Sequence, residues 1–293
     1  MFMSQTVLAE KLQNMLAEDM GQGDLTTALL APRDSNSEAQ MVAKEFGVIA
    51  GIEEAKALLK SLRLRLEILV TDGEEVNAES ILMKIFGDTR TILSVERTLL
   101  NIVARMSGIA TTTRRLVERL REAGLSTRVA ATRKVAPGLL YFDKKAVLVG
   151  GGDTHRLHLD DMILIKDNHI AVSGSLKRAV ETVKRRVSFS KKVEVEITEA
   201  LDSSIAAEAG ADIIMFDNFS TKQIENAVKL LKEKGFYGKV LLEASGGITS
   251  ENILDYASTG VDIVSLGELT HRAKILDVSL EIVKCSSQTS SDD

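Results

Sequence analysis

The sequence predicts an α/β protein whose first third is mixed and whose remainder is a parallel sheet arranged as a barrel. From about residue 107 onward, short apolar runs alternate with helical patterns, as they do in successive βα units. Most of these runs are almost continuously apolar, which is typical of parallel strands covered on both faces. Each run ends in charged, polar or glycine residues. Such residues would meet at the mouth of a barrel, where barrel enzymes keep their chemistry.

Composition narrows the class of protein. The 293 residues are 44% hydrophobic and 27% charged, which is enough for one large domain and a smaller one. The net charge of −5 argues against a nucleic-acid partner, so any anionic ligand must be held by a local basic cluster. A single cysteine, Cys285, excludes an intrachain disulfide and favours a reducing compartment, the cytoplasm. No apolar run approaches the ~20 residues that span a bilayer, so we expect no membrane association.

The first third combines helices with short strands. Residues 1–21 have the pattern of an amphipathic helix, and residues 39–50, 64–70 and 80–86 are candidate strands. Thr89 opens a long helical pattern. In the remainder, the six candidate strands are 128–132, 162–165, 193–197, 213–216, 240–242 and 263–266.

Basic residues follow the first strands of the predicted barrel. They are Arg133, Lys134, His155, Arg156 and Lys166. Arginine offers the bidentate donors that a planar dicarboxylate needs, and lysine offers point charges for a departing pyrophosphate. The alternative is a set of unrelated surface charges at loop starts.

Carboxylates follow the next strands. Glu196 and Asp217 lie on consecutive strand ends and could hold ribose hydroxyls or, through water, a magnesium ion. The alternative is that they balance nearby basic residues. Glu194 and Glu243 are weaker candidates, and inside a barrel they would have to pair with basic neighbours.

Glycine turns follow the last strands. Ser245-Gly246-Gly247 lies between a strand and a helix that Ser250 could cap, a geometry that presents backbone N–H groups to a phosphate. Gly267 in the next turn would extend such a cradle. An ordinary turn is the alternative, and His271 after it is more typical of a helix start than of a catalyst.

Taken in order, these strings resemble one family, the quinolinate phosphoribosyltransferases (carboxylating nicotinate-nucleotide pyrophosphorylases). The resemblance runs from Gly23-Asp24-Leu25-Thr26 to about Lys284. The strings are Glu96-Arg97-Thr98, Thr132-Arg133-Lys134, His155-Arg156, Lys166-Asp167-Asn168-His169, Glu194-Val195-Glu196, Ser245-Gly246-Gly247 and Leu269-Thr270-His271.

The resemblance implies an architecture. It implies an N-terminal α/β sandwich domain over residues 1–106, onto which residues 275–293 pack back, followed by an open, TIM-like α/β barrel over residues 107–274. It also implies a homodimer, or a larger assembly, in which the partner's N-terminal domain covers each barrel mouth.

The resemblance also implies residue roles in transferring phosphoribosyl from phosphoribosyl pyrophosphate to quinolinate. Arg97 would reach quinolinate from the neighbouring subunit, and Arg133, His155 and Arg156 would bind its carboxylates. Lys134 and Lys166 would bridge toward the donor, while Glu196 and Asp217 would meet the ribose and Mg²⁺. Ser245, Gly246, Gly247 and Gly267 would hold the 5′-phosphate, and His271 would lie on the pyrophosphate or base side. With Lys134, Lys166, Glu196 and Asp217 as the catalytic set, the products would be nicotinate mononucleotide, pyrophosphate and CO₂, a step of NAD biosynthesis.

Several positions depart from the family pattern, and alternatives remain open. Ala131, Val135, Leu140 and Thr154 replace an acidic residue, a threonine, an arginine and an asparagine, which puts the fine geometry in doubt. A nicotinate phosphoribosyltransferase would not need a pocket for two carboxylates. A group linked to molybdenum transport shares much of the pattern but lacks the Lys-Asp-Asn-His string. A Schiff-base aldolase using Lys166 and a non-catalytic binding barrel are the alternatives of different class.

Overall fold

The computed structural model describes residues 3–287, which form two compact units. Unit 1 contains the chain up to Thr112, then Tyr141–Gly150, and the chain from Ala273 onward. Unit 2 contains Thr113–Leu140 and Gly151–Arg272.

Helices and strands follow one another along the whole of this chain. In sequence order they are α1 (Gln5–Met20), α2 (Leu25–Leu30), β1 (Ser35–Ala43), β2 (Gly47–Val48), α3 (Ile52–Ser61), β3 (Arg65–Ile68), β4 (Glu75–Val76), β5 (Ile81–Asp88), α4 (Thr89–Glu122), β6 (Arg128–Ala131), α5 (Leu140–Val149), β7 (Ile163–Ile165), α6 (Asp167–Ser173), α7 (Leu176–Arg186), β8 (Val193–Ile197), α8 (Asp202–Glu208), β9 (Ile213–Asp217), α9 (Thr221–Glu233), β10 (Leu241–Ser245), α10 (Ile253–Ala257), β11 (Ile263–Leu266), α11 (Glu268–His271) and β12 (Val278–Ser287).

Unit 1 is built on an antiparallel sheet with helices packed on it. Its four strands run in the order β12-β1-β5-β3, and β2 pairs with β4 in a separate two-stranded sheet. Helix α1 buries Leu8, Leu12 and Leu16, spaced four residues apart as the amphipathic pattern predicts, and packs on α3. Strand β12 pairs with β1, so the end of the chain completes this sheet. Residues 1–2 and 288–293 lie outside the described part of the chain.

The predicted strand over residues 39–50 is wrong as a single element. The chain forms β1 and β2 with a bend between them, where the backbone N–H of Lys44 donates to the carbonyl of Asp277. Gly47 is required just after the bend, because a Cβ there would lie 2.4 Å from Leu276 Cδ1.

Unit 2 is the predicted open α/β barrel. Its six strands are all parallel and run in the order β6-β11-β10-β9-β8-β7, so β6 and β7 do not pair with each other. An isolated parallel bridge between Ala130 and Asp153 extends the sheet beside β6. The apolar strand residues form the core, and Val195, Phe216 and Leu242 are almost completely buried. The fold class predicted from the sequence is confirmed, and all six strands lie within a few residues of their predicted positions.

The division between the units differs in detail from the boundaries inferred from sequence. The predicted boundary at residues 106 and 107 falls inside α4, and the structural division lies between Thr112 and Thr113 of the same helix. Helix α5, which separates two barrel strands in sequence, belongs mostly to unit 1. Charged contacts hold it there: Arg105 makes two hydrogen bonds of 2.7 and 2.8 Å with the buried Asp143. Within residues 3–287, no helix is long and apolar enough to cross a membrane.

Candidate active site

A cavity of about 460 Å³ lies where the carboxyl ends of the barrel strands converge. Its lining is Ala131, Thr132, Arg133, Lys134, His155, Arg156, Leu164, Lys166, Glu196, Met215, Asp217, Asn218, Glu243, Ser245 and Ser265. The five basic residues picked out from sequence are thus brought together in one space with Glu196, Asp217 and Glu243, whereas Glu194 does not line it. Thr132, Asn218 and Ser265 were not among the candidates, although Thr132 and Asn218 directly adjoin residues that were.

Three of the lining cations lack a carboxylate partner. Among residues 3–287, no ion pair is formed by Arg133, Lys134 or Arg156, and the Arg156 guanidinium makes only a long 3.4 Å contact with the carbonyl of Met162. Burial lowers the pKa of Arg156, and the charge of Arg133 lowers it further. Two guanidinium groups that repel each other, neither of them in an ion pair among the described residues, form a site that an anion stabilises.

The fourth lining cation is paired. Lys166 begins the turn into α6, and its ammonium group contacts Glu196 Oε1. Asp217, at the end of β9, accepts a hydrogen bond of 3.0 Å from the side chain of Asn218. Both carboxylates line the cavity, as expected for consecutive strand ends.

Glu196 and Asp217 do not form a complete metal site by themselves. Among the described residues, the group of three possible ligands with atoms within 4.8 Å of one another is His155, Glu194 and Glu243. Mg²⁺ commonly binds one or two protein carboxylates, and water and substrate phosphate oxygens complete its coordination shell. Glu196 and Asp217 fit Mg²⁺ in this way.

A buried acid pair lies under the cavity. The side chains of Glu194 and Glu243 are both 0% exposed. The expectation that they pair with a basic neighbour is confirmed, because His155 Nε2 lies 3.1 Å from Glu243 Oε2 and 3.4 Å from Glu194 Oε2. Ser265 donates to the other oxygen of Glu243 at 2.6 Å. Neither oxygen of Glu194 has a hydrogen-bond partner in the described chain.

The surroundings shift the pKa of both Glu194 and His155. Burial raises the pKa of Glu194 to about 7. For His155, burial lowers the pKa, but Glu194 and Glu243 outweigh it and raise the pKa to about 10. At neutral pH the His155 ring is therefore an imidazolium that lies between the two carboxylates.

The glycine turn after β10 has the left-handed backbone that its sequence suggests. Gly246 and Gly247 have φ values of 87° and 65°. The expected cap at Ser250 is wrong, because α10 begins only at Ile253, after Asn252. Instead, the backbone N–H of Ser250 donates to Glu268 Oε1 at 2.6 Å, which ties this turn to the next one.

Gly267 and His271 lie in that next turn. His271 ends the short helix α11 rather than starting a helix, and its Nδ1 lies 2.5 Å from the carbonyl oxygen of Gly267. Thr270 Oγ1 donates to the carbonyl of Lys134 at 2.7 Å, so α11 also holds the loop that carries Lys134.

Arg97 belongs to unit 1. It lies on α4 and lines a cavity of about 300 Å³ within that unit, together with Asp24, Thr27 and Glu96. Its role in substrate binding stays a prediction.

Comparison with known proteins identifies the family. Residues 24–107 match the quinolinate phosphoribosyl transferase N-terminal domain, and residues 109–281 match the C-terminal domain of the same family. The chain belongs to the quinolinate phosphoribosyltransferase family.

Individual relatives of this quinolinate phosphoribosyltransferase chain support the same family assignment. A protein of Methanothermobacter thermautotrophicus named "Probable nicotinate-nucleotide pyrophosphorylase (carboxylating)" is 45% identical over 271 residues, covering 92% of this chain and 97% of that protein. The solved structure of the nicotinate-nucleotide pyrophosphorylase from Francisella tularensis is 36% identical, has a TM-score of 0.87 and covers 96% of this chain and 97% of its own. NadC from Streptococcus pyogenes is 34% identical with a TM-score of 0.88, over 98% and 99% of the two chains.

These matches confirm the family and the enzyme class predicted from the sequence, a phosphoribosyltransferase. They span both units, so the alternatives of a Schiff-base aldolase and of a non-catalytic barrel are set aside. As expected of a quinolinate phosphoribosyltransferase, the chain carries its charged residues in one barrel-mouth cavity.

Proposed function

We propose that this protein transfers phosphoribosyl from phosphoribosyl pyrophosphate to the ring nitrogen of quinolinate. The products are nicotinate mononucleotide, pyrophosphate and CO₂, which makes it a cytoplasmic enzyme of NAD biosynthesis. The observation that carries the proposal is the composition of the cavity. Within the described part of the chain, its residues Arg133, Lys134 and Arg156 form no ion pair, while Glu196 and Asp217 lie in the same space. Such a cavity suits two anionic substrates, one of them with ribose hydroxyls.

The cations divide between the two substrates by their chemistry. Arg133 and Arg156 hold the quinolinate carboxylates, because a guanidinium group can meet a carboxylate with two parallel hydrogen bonds. Lys134 and Lys166 bridge toward the pyrophosphate, where compact positive charges stabilise the departing negative charge.

The donor's 5′-phosphate lies on the glycine turns. Ser245, Gly246, Gly247 and Gly267 offer backbone N–H groups to it, and His271 lies toward the pyrophosphate or the base.

The reaction needs positioning more than covalent chemistry. The bond between the ribose C1 and the pyrophosphate oxygen breaks, and positive charge builds up on C1. The pyridine nitrogen supplies the electron pair for the new bond to C1. The 2-carboxylate then leaves as CO₂, its bonding electrons stay on the ring carbon beside the cationic nitrogen, and a proton takes its place. Holding two mutually repelling anions in contact is the enzyme's main contribution.

In this proposal, Mg²⁺ binds together with the donor, phosphoribosyl pyrophosphate. Glu196 and Asp217 would hold Mg²⁺ together with oxygens of phosphoribosyl pyrophosphate, and the ion would neutralise part of the pyrophosphate charge.

A direct assay of substrate choice tests the proposed function. Pyrophosphate and CO₂ release are followed with phosphoribosyl pyrophosphate and either quinolinate or nicotinate. We expect quinolinate to be used about 30- to 1,000-fold better in kcat/KM, because an arginine left without its carboxylate loses about 2–4 kcal/mol of binding. Equal turnover of nicotinate would mean that the nicotinate-specific alternative is correct.

We also propose a homodimer whose sites are shared, with Arg97 serving the neighbouring barrel. Arg97→Ala and Lys166→Ala should each be nearly inactive alone, whereas a mixture that exchanges subunits should regain activity. The gain arises because one site of each heterodimer has both residues intact. An inactive mixture, with subunit exchange verified by native mass spectrometry, would show that each subunit builds its own site.

A further inference from the structure

A second cavity of unit 2, with a volume of about 400 Å³, lies at the amino end of strand β6. It is lined by the last turns of α4, by the segment that leads into β6 and by residues 151–153. The first residues of β6 line this cavity, whereas its last residue, Ala131, lines the barrel mouth. No residue lines both cavities, so the second one is a separate space.

Hydrogen-bond donors without partners cluster in this second cavity. Among residues 3–287, the guanidinium group of Arg121 and the hydroxyl of Ser126 form no hydrogen bond or ion pair. The backbone N–H groups of Gly151 and Gly152 have no hydrogen-bond partner in the same part of the chain. Gly151 has a φ of 91°, a conformation for which glycine is the usual residue. The wall therefore presents two consecutive free N–H groups beside a free arginine and a free serine.

The charge of the wall favours an anion. Its charged residues are Arg121, Arg128 and Asp153. Asp153 offsets one of the arginines, because its Oδ2 lies 3.8 Å from Arg128, and its Oδ1 accepts the backbone N–H of His155 at 2.7 Å. The positive charge of Arg121 is left over, on a protein whose net charge is −5. A guanidinium group beside successive backbone N–H groups is a combination that binds the oxygens of a phosphate group.

The rest of the wall includes an aliphatic surface. Val117 and Leu120 of α4 line the cavity together with Leu125 and Val129. A volume of about 400 Å³ lies within the range of small-molecule sites, which combine apolar walls with a few polar groups. Such a cavity suits a ligand that has an apolar group next to its phosphate.

We propose that this second cavity binds a phosphate monoester that carries an apolar group. Its phosphate lies against Arg121, Ser126 and the N–H groups of Gly151 and Gly152, and its apolar group packs on the valine and leucine side chains. The proposal goes beyond the proposed function and does not rest on it, because none of these residues lines the barrel mouth.

The sequence permits an NMR experiment that observes this cavity and the barrel mouth in one spectrum. Gly151, Gly152 and Gly247 are the glycines that directly follow another glycine. Cell-free synthesis labels every glycine with ¹³C at its carbonyl and ¹⁵N at its amide, without conversion to serine. A carbonyl-to-amide correlation spectrum then contains only the signals of these three residues. Gly152→Ala and Gly247→Ala each remove one signal, which assigns all three.

The probes are phenyl phosphate, inorganic phosphate and benzyl alcohol. We expect phenyl phosphate to shift the signals of Gly151 and Gly152 saturably, with a Kd about tenfold or more below that of inorganic phosphate. Benzyl alcohol, which lacks the phosphate, should leave both signals unchanged at the same concentrations. The absence of a saturable shift at Gly151 and Gly152, or equal affinity for inorganic phosphate, would overturn the proposal. Phosphoribosyl pyrophosphate, added to a separate sample, tests the proposed function through the signal of Gly247.

Two arginines of α4 provide matched variants for the same titration. Arg121 lines the cavity, whereas Arg115 is exposed on the same helix and does not line it. Arg121→Gln should weaken phenyl phosphate binding about tenfold or more, and Arg115→Gln by less than about twofold. Ser126→Ala should weaken it about threefold or more, because a hydroxyl donor is lost. Equal losses for the two arginine variants would mean that charge alone attracts the ligand, and the proposed site would then be wrong.

Discussion

The two glycines after β10 permit a matched test of the cavity rim. Gly246 and Gly247 both have a positive φ, 87° and 65°, so alanine at either costs about 1–2 kcal/mol of backbone strain. Their surroundings differ. A Cβ at Gly247 meets nothing within 4 Å, whereas one at Gly246 would lie 2.3 Å from Asn218 Oδ1 and 3.0 Å from the Asn218 backbone nitrogen.

Asn218 cannot yield freely. It has a φ of 57°, and its backbone N–H donates to the Ser245 carbonyl at 2.9 Å. Moving such a backbone costs about 1–3 kcal/mol, as overpacking does elsewhere. We therefore expect Gly247→Ala to lower the free energy of unfolding by about 1–2 kcal/mol and Gly246→Ala to lower it by about 2–5 kcal/mol.

Denaturation in guanidinium chloride measures the stability difference, and calorimetry with phosphoribosyl pyrophosphate measures its effect on the site. Both variants should weaken donor binding, because both glycines are proposed to hold the 5′-phosphate. Gly246→Ala should weaken it about tenfold more than Gly247→Ala, because its Cβ would displace Asn218, which lines the cavity beside Asp217. If both variants lost the same stability and the same affinity for the donor, the reasoning would be refuted. The backbone strain of alanine at a positive φ would then account for the whole effect.

Two further predictions concern ligand binding and stability. Arg156→Ala should weaken quinolinate binding by about 2–4 kcal/mol and leave donor binding nearly unchanged. Asp217→Ala should weaken donor binding instead and make activity less dependent on magnesium. Calorimetry with each ligand tests both, and a loss of donor binding alone in Arg156→Ala would contradict the assigned roles. Asp143→Ala should cost about 3–5 kcal/mol of stability, because it removes the buried carboxylate that accepts two hydrogen bonds from Arg105. Lys229→Ala, in an exposed ion pair, should cost less than about 0.5 kcal/mol. Similar denaturation midpoints would mean that the buried pair contributes little.

The barrel strands could be predicted because their signal is local. Runs such as 213–216 are apolar throughout and end in a charged residue, and parallel strands bring such ends to one edge. That rule alone predicts that residues such as Lys166, Glu196 and Asp217 line the same cavity.

Other features depend on contacts between residues distant in sequence, which a local sequence pattern does not reveal. Helix α5 falls between two barrel strands in sequence, yet ion pairs with residues such as Arg105 place it in unit 1. Likewise, Glu194 and Glu243 lie on strands separated by β9, so the sequence could show only that each needs a basic partner. That His155 is the partner of both could not be predicted, because it lies about 40 and 90 residues away from them in sequence and its backbone has an uncommon left-handed conformation.

The charge balance of the barrel mouth depends on the cluster of His155, Glu194 and Glu243 beneath it. Both substrates are anions, so the cavity must remain cationic when they enter. Two ionised carboxylates beneath the mouth would offset two of the cations above them and would be costly without exposure to water. The His155 ring offsets part of that negative charge, because the two carboxylates raise its pKa to about 10, and burial raises the pKa of Glu194 to about 7. The remaining charge is bound by the His155 N–H and the Ser265 hydroxyl, which leaves the guanidinium groups of Arg133 and Arg156 for the incoming carboxylates.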